Sequence, residues 1–306
     1  MYHVASALAL AAQQQSKTLA EELGFTRQDI VLIINGDDVG MCHTGNLAAI
    51  DCMERGLMTT ATIMMPCPWV PEIAKYAKAH PEKDFGLHLT HTSEWQDYRW
   101  GPVAPRDKVK GLLDKDGYLW RDDADSQKNA TPQEAYIEAK AQIDLAYNLG
   151  IDVTHLDSHM GTLQTHPEFY KVYVKLAVEY NLPLRMGSKK LYDAAGFPTL
   201  RDDASKVGIV YPDNLIHQER PGKSPIKPGW MEIIRGLQPG VHELYIHAGH
   251  RTDEMKAITG SWEVRSQEKD LFTDDADMRA LIKERNIKLI GFRPLRDLQR
   301  RKRAAK

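Results

Sequence analysis

Three features of the 306-residue sequence predict an α/β fold, organised as a single domain around one (β/α) barrel. Apolar runs alternate with helical segments from residue 30 almost to the end. Most of these runs are apolar throughout, which suits a parallel sheet covered on both faces. Roughly seven such runs, with no repeat and no low-complexity linker between them, fit a closed barrel better than an open doubly wound sheet.

The elements run in order along the chain. VLIIN (31–35) is a short β-branched run ended by Gly36 and reads as a buried strand. NLAAIDCMERG (46–56) has helical spacing and closes on glycine. TTATIMM (59–65) is a second strand, PEIAKYAKAHPEK (71–83) a helix as far as Pro81, and FGLHLTH (85–91) a third strand. Residues 97–130 are rich in Gly, Pro and Asp and read as a long excursion over one face. The clearest helix spans 132–150, with Pro132 near its start and Gly150 at its end. VTHLDSH (153–159) is a strand, 167–181 a helix and LPLRM (182–186) another strand. HELYIHAG (242–249), a helix over 277–286 and IKLIGF (287–292) complete the alternation.

The bulk numbers exclude several function classes. A formal net charge of -2 gives no footprint for nucleic acid or an anionic membrane. No run approaches the roughly 18 apolar residues of a membrane span. Cys42, Cys52 and Cys67 have neither metal-type nor disulfide spacing and read as small buried residues. Residues 1–29 form an extension whose start, MYHVASALALAA, suits either a helix or the remnant of an export signal. The barrel is expected over 30–295, and residues 296–306 read as a solvated basic tail.

Polar residues gather at the strand ends. Asp37 and Asp38 end the first strand and His88 the third; His155, Asp157 and His159 end the next, and His247 and His250 a later one. In a parallel barrel these ends meet at one mouth, where such folds keep their chemistry. A carboxylate with two neutral imidazoles suits a catalytic divalent metal with open positions. A metal also explains why two acids stand side by side. Ligation neutralises Asp38 and leaves Asp37 free as a general base. Gly36 and Gly40 permit the tight turn around them. A receiver-type signalling domain also carries an acid pair after its first strand, but it leaves His88 and His159 unexplained.

These residues resemble the YdjC-like carbohydrate deacetylase family. The resemblance rests on Asn35-Gly36-Asp37-Asp38-Val39-Gly40, Gly86-Leu87-His88-Leu89, Thr154-His155-Leu156-Asp157-Ser158-His159 and, more loosely, Glu243-Leu244-Tyr245-Ile246-His247-Ala248, in that order. It implies a distorted TIM-like (β/α) barrel and one divalent metal ion held by Asp38, His88 and His159, with Mg2+ and Zn2+ both open. Asp37 becomes the base and an N-acetylated saccharide the substrate. The implied function is a metal-dependent carbohydrate deacetylase; a non-catalytic sugar-binding relative is the alternative. His247 is expected to protonate the leaving amine, with His155 its competitor on spacing. Arg185 is a candidate at the substrate site to hold Asp37 ionised, a surface arginine being the other reading, and Trp95, Tyr98 and Trp100 either stack on sugar or simply pack under the 97–130 excursion. A homodimer is left open. Two departures stand out: HMGTLQTHP (159–167) lacks the family's histidine-rich run, and Ala248 stands in place of proline.

Overall fold

The computed structural model describes residues 16–217 and 219–305, so the two readings of the first 15 residues lie outside the described part. The strands are β1 (Ile30–Val39), β2 (Thr60–Ile63), β3 (Phe85–Leu89), β4 (Val153–Ser158), β5 (Asn214–Ile216), β6 (Gly240–Ile246) and β7 (Lys288–Leu289). The helices before β4 are α1 (Leu19–Glu22), α2 (His43–Arg55), α3 (Val70–Ala79), α4 (Asp123–Asn129) and α5 (Pro132–Asn148). After β4 come α6 (Pro167–Tyr180), α7 (Lys189–Ala194), α8 (Leu200–Lys206), α9 (Lys227–Gly236), α10 (Asp253–Ile258), α11 (Trp262–Thr273), α12 (Ala276–Glu284) and α13 (Arg293–Ala304).

Every strand pairing is parallel, in the order β4-β3-β2-β1-β6-β5, with β7 beside the first half of β1. The gap between β4 and β5 is bridged by the expected 182–186 strand, reduced to one residue. Leu184 pairs with Leu156 of β4 and donates its N–H to the Val210 carbonyl (3.2 Å). Beyond that contact no ladder among the described residues joins this edge to β5, so the α/β sheet forms an uneven, distorted TIM-like barrel. The weakness of that edge has a local cause: Pro183 lacks an N–H to donate to a ladder.

Strand periodicity sorts the side chains into layers. Leu32 and Ile34 of β1 face the large core beneath the helices, while Val31 and Ile33 face the barrel interior. There they pack with Val241 of β6 and with Phe292, Leu295 and Leu298, which plug the barrel at the N-terminal ends of its strands. Further up the same inner faces the residues turn polar: Asn35 and Asp37 on β1, Glu243 and Tyr245 on β6. An apolar floor thus carries a polar upper layer. Because β1 is buried on both faces, it lacks the alternation of a half-exposed strand.

Two expectations are corrected. The basic C-terminal run is no solvated tail, because α13 buries Leu295, Arg296, Leu298 and Gln299. Its charged residues hid an apolar stripe at i, i+3, with Arg296 Nη1 held by Asp152 Oδ1 (2.6 Å). The expected strand 287–292 shrinks to two residues, and the chain passes from β7 through Phe292, the residue that caps α13, into that helix. The 97–130 excursion joins the large core through buried Val109, Leu112 and Leu119 and ends in α4.

Candidate active site

The strand β1 does not stop at Gly36 but runs through both acids to Val39. Successive strand residues point to opposite faces, so an unbroken strand would send Asp37 and Asp38 apart. The backbone breaks that rule. The register with β2 shifts between Gly36 and Val39, and Asp38 takes a left-handed φ of 63°. Aspartate tolerates this region better than most side chains, and such local strain concentrates at functional sites. Gly40 adds a second left-handed turn at φ 88°, where a Cβ would meet Val70 at 2.9 Å. Both carboxylates consequently reach the mouth.

Asp38 has two differently occupied oxygens. Oδ2 accepts from Arg265 Nη2 of α11 at 2.6 Å. Oδ1 is buried and has no hydrogen-bond partner among the described residues. It faces His88 Nε2 at 3.4 Å and His159 Nδ1 at 3.5 Å, and the three residues form a buried group able to hold a metal ion. Two donors each about 2.0–2.1 Å from an ion at a tetrahedral angle lie about 3.4 Å apart, so the spacing fits one.

The outer nitrogens are already committed. His88 Nδ1 meets Asp157 Oδ1 at 2.5 Å, and His159 Nε2 meets Glu94 Oε2 at 2.9 Å. With an ion held, each carboxylate would keep its imidazole's proton outside and its lone pair toward Asp38. The same charges pull positive charge inward. Against the opposing effect of burial, Asp157 and Asp37 raise His88 to about 10, and Glu94 and Asp38 raise His159 to about 9. Protons on these rings stand where an ion's charge would be.

Asp37 is held by Arg185 in a bidentate pair, with both Nη–Oδ distances 2.8 Å. Asn35 Nδ2 donates to its Oδ1 at 2.6 Å. Burial pushes the Asp37 carboxyl up, but Arg185 and His88 hold it well below the usual range, so it is ionised. The Arg185 guanidinium also meets Asp157 (2.9 Å) and Glu243 (2.6 Å). Burial lifts Glu243 to about 7 in spite of that contact, and its Oε2 has no partner among the described residues.

His247 lies just beyond β6, its Nε2 3.9 Å from Asp38 Oδ2. Its backbone N–H donates to Glu268 (2.7 Å), and Arg220 donates to its Nδ1 (3.2 Å). That donor places the ring proton on Nε2, which faces the site. Burial pushes the imidazole down to about 3, against the pull of Asp38 and with Arg265 and Arg220 adding to the fall, so it is neutral at rest. Asp37, Asp38, His88, His159, Arg185 and His247 open into one cavity of about 390 Å³ at the C-terminal ends of the strands.

The sequence model of the YdjC-like protein family matches residues 31–284. The chain belongs to this family. A carbohydrate deacetylase of Thermoanaerobacter pseudethanolicus is 28% identical over 261 residues, covering 85% of this chain and 97% of the relative. One of Thermus thermophilus is 29% identical over 269 residues, covering 81% and 87%. A solved Enterococcus faecalis structure, described provisionally as a cellobiose-phosphate cleavage protein, superposes with a TM-score of 0.78 at 25% identity, covering 87% of this chain and 99% of that one.

On this YdjC-like framework the structure brings Asp37, Asp38, His88, His159, Arg185 and His247 to one cavity. Other expected residues go elsewhere. His155 points into the barrel interior, stacked on Phe292 with ring centroids 3.7 Å apart, so it does not compete with His247. His250 sits 3.3 Å from Asp51. Arg185 reaches the cavity, with its donors turned to the carboxylates of Asp37, Asp157 and Glu243. Trp100 is buried and donates its indole N–H to the Thr92 carbonyl (3.0 Å). Trp95 and Tyr98 cluster with it, and none of the three lines the cavity. They buttress the site from behind.

Sequence reasoning missed Glu94, Arg220, Arg265 and Glu268. The α11 segment WEVRSQEKDLFT carries charge all round, like a solvated helix, so its buried Arg265 and Glu268 had no local signature. Glu94 stands six residues after His88, with no spacing that marks it as the partner of His159.

Proposed function

We propose that this chain is a metal-dependent hydrolase that removes the acetyl group from an N-acetylated sugar or related glycoside. One observation carries the reading: the unpartnered Asp38 Oδ1 faces two imidazole nitrogens whose far sides are fixed by Asp157 and Glu94. The names of its YdjC-like relatives supply the substrate class.

Asp38, His88 and His159 would hold one divalent ion, Mg2+ or Zn2+. Such an ion supplies Lewis acidity, polarising the acetamide carbonyl and making a water more acidic. Asp37 takes the proton from the attacking water. The Arg185 clamp aims its carboxylate and keeps it ionised, and also makes it a weaker base than a free carboxylate. As the carbonyl carbon becomes tetrahedral, negative charge builds inside the cavity and favours a proton from solvent on His247 Nδ1, which gives up the Arg220 contact and lies 3.9 Å from Glu268 Oε2. His247 then passes a proton to the nitrogen through Nε2, so the C–N bond breaks with a neutral amine as leaving group. Glu268 holds the His247 backbone N–H throughout, and Arg220 fixes the ring at rest.

The test is acetate release from N-acetylated mono- and oligosaccharides after metal removal and readdition of single ions. Metal-restored release from at least one sugar is expected. Metal binding without release from any of them would leave a sugar-binding protein instead.

A further inference from the structure

The cavity has two unlike walls. One part is the charged constellation around Asp38; another part of the same lining is apolar. Leu191 of α7, Phe197 in the loop after it, Leu215 of β5 and Met160 at the rim line this second wall. They come from three separate segments, so the surface is assembled by the fold and is no accident of one amphipathic helix. Met160, next to the ligand-type His159, has a left-handed φ of 52° and leaves 43% of its surface exposed. A methionine in that backbone region is uncommon, and here it presents an apolar side chain to the opening.

The wall is larger than an acetyl methyl needs, and it suits a second sugar ring poorly. A ring carries hydroxyls around its edge, and each one buried without a partner weakens binding. Leu191, Phe197, Leu215 and Met160 offer no side-chain N–H or O–H. Among the nearby polar groups, Gln164 donates to the Arg185 carbonyl (2.9 Å) and Tyr245 Oη meets His217 Nδ1 (2.6 Å), while Tyr192 Oη, beside Leu191, accepts from the Gly187 N–H (3.2 Å).

We propose that the substrate carries an aliphatic or aromatic substituent, bound against the wall of Leu191, Phe197, Leu215 and Met160 while its N-acyl group meets the charged one. The proposal rests on the deacetylase reading for the sugar, and the wall itself supplies the substituent. Two attachment points offer the same chemistry: the anomeric oxygen as an alkyl or aryl glycoside, or the acyl chain itself.

Calorimetric binding to the full chain separates them, using methyl N-acetylglucosaminide, its hexyl glycoside, the methyl glycoside bearing an N-hexanoyl group, and diacetylchitobiose. Each buried methylene strengthens binding by about fourfold, so even partial burial of the longer chain predicts a gain of roughly tenfold or more over the methyl glycoside. A gain on the hexyl glycoside puts the substituent on the anomeric oxygen; a gain on the hexanoyl amide puts it on the acyl group. Leu191→Asn and, separately, Phe197→Ser should each shrink the gain, and either variant with native circular dichroism suffices. Affinities within twofold across the methyl, hexyl and hexanoyl compounds overturn the proposal, as does chitobiose binding more tightly than both long-chain compounds. Acetate release is read in parallel. A binding gain without release from any N-acetylated compound supports the wall and sinks the deacetylase reading alone.

Discussion

At the scale of single residues, chemistry is divided between oxygens and nitrogens that look equivalent in the sequence. Asp38 gives one oxygen to Arg265 and keeps the other clear; His88 and His159 each turn one nitrogen inward and one outward. Asp157→Asn leaves the inner shell intact but weakens the acceptor on His88 Nδ1. Metal affinity should fall about 10–100-fold, as measured against a competing chelator. Asp37→Asn should keep stoichiometric metal and lose at least about 100-fold in acetate release. Loss of the metal instead would make Asp37 a ligand. For His247 the informative comparison is an amide against an activated ester whose leaving group needs no proton. His247→Ala should damage amide hydrolysis far more than ester hydrolysis, and equal losses would remove it as the acid.

At the scale of elements, the site depends on how helices are pinned to strand ends. The helix α13 is tied to the start of β4 by Asp152, which pairs with Arg296 and Arg293. Burial pushes the Asp152 carboxyl up, but the two arginines win and set it below its ordinary 3.8. A carboxyl lowered on folding contributes stability above its unfolded value, and the contribution fades as pH drops through the folded one. Wild type should therefore exceed Asp152→Asn in urea midpoint at pH about 6, with the difference shrinking below pH about 4. A difference independent of pH would mean that the ion pair contributes nothing. The same helix sets Gln299 against the Val210 N–H (2.8 Å), fastening the irregular part of the barrel wall to its floor.

For the whole molecule, the apolar floor lets one barrel hold so many buried charges above it. Phe292 is fully buried, stacks on His155 and belongs to the plug with Val31, Ile33 and Leu295. Phe292→Ala should cost about 3–5 kcal/mol in chemical unfolding. At low temperature the folded fraction should still bind metal, because the ligands sit at the opposite end of the strands. Loss of metal binding with the fold intact would show that the floor also holds the ligand geometry.

The apolar runs, their alternation with helices and the polar residues at strand ends were legible in the sequence, because strand periodicity and strand termination are local properties. Residues 31–39, 85–89 and 153–159 carry enough of that local signal to mark Asp37, Asp38, His88 and His159. The partners of these residues are non-local. Arg185 clamps Asp37 from 148 residues away and Arg265 takes one oxygen of Asp38 from 227 residues away, in segments whose charges look like those of solvated surface. The left-handed Asp38, which brings both acids to one side, coincides with a register shift against β2, and aspartate's tolerance of that region does not by itself announce it. Trp100 misled for the same reason: an aromatic near a site stacks on a ligand or props up a loop depending on which face the fold leaves open. Only the tertiary structure decides that, because burial and the choice of ionic partners are set by what distant segments bring.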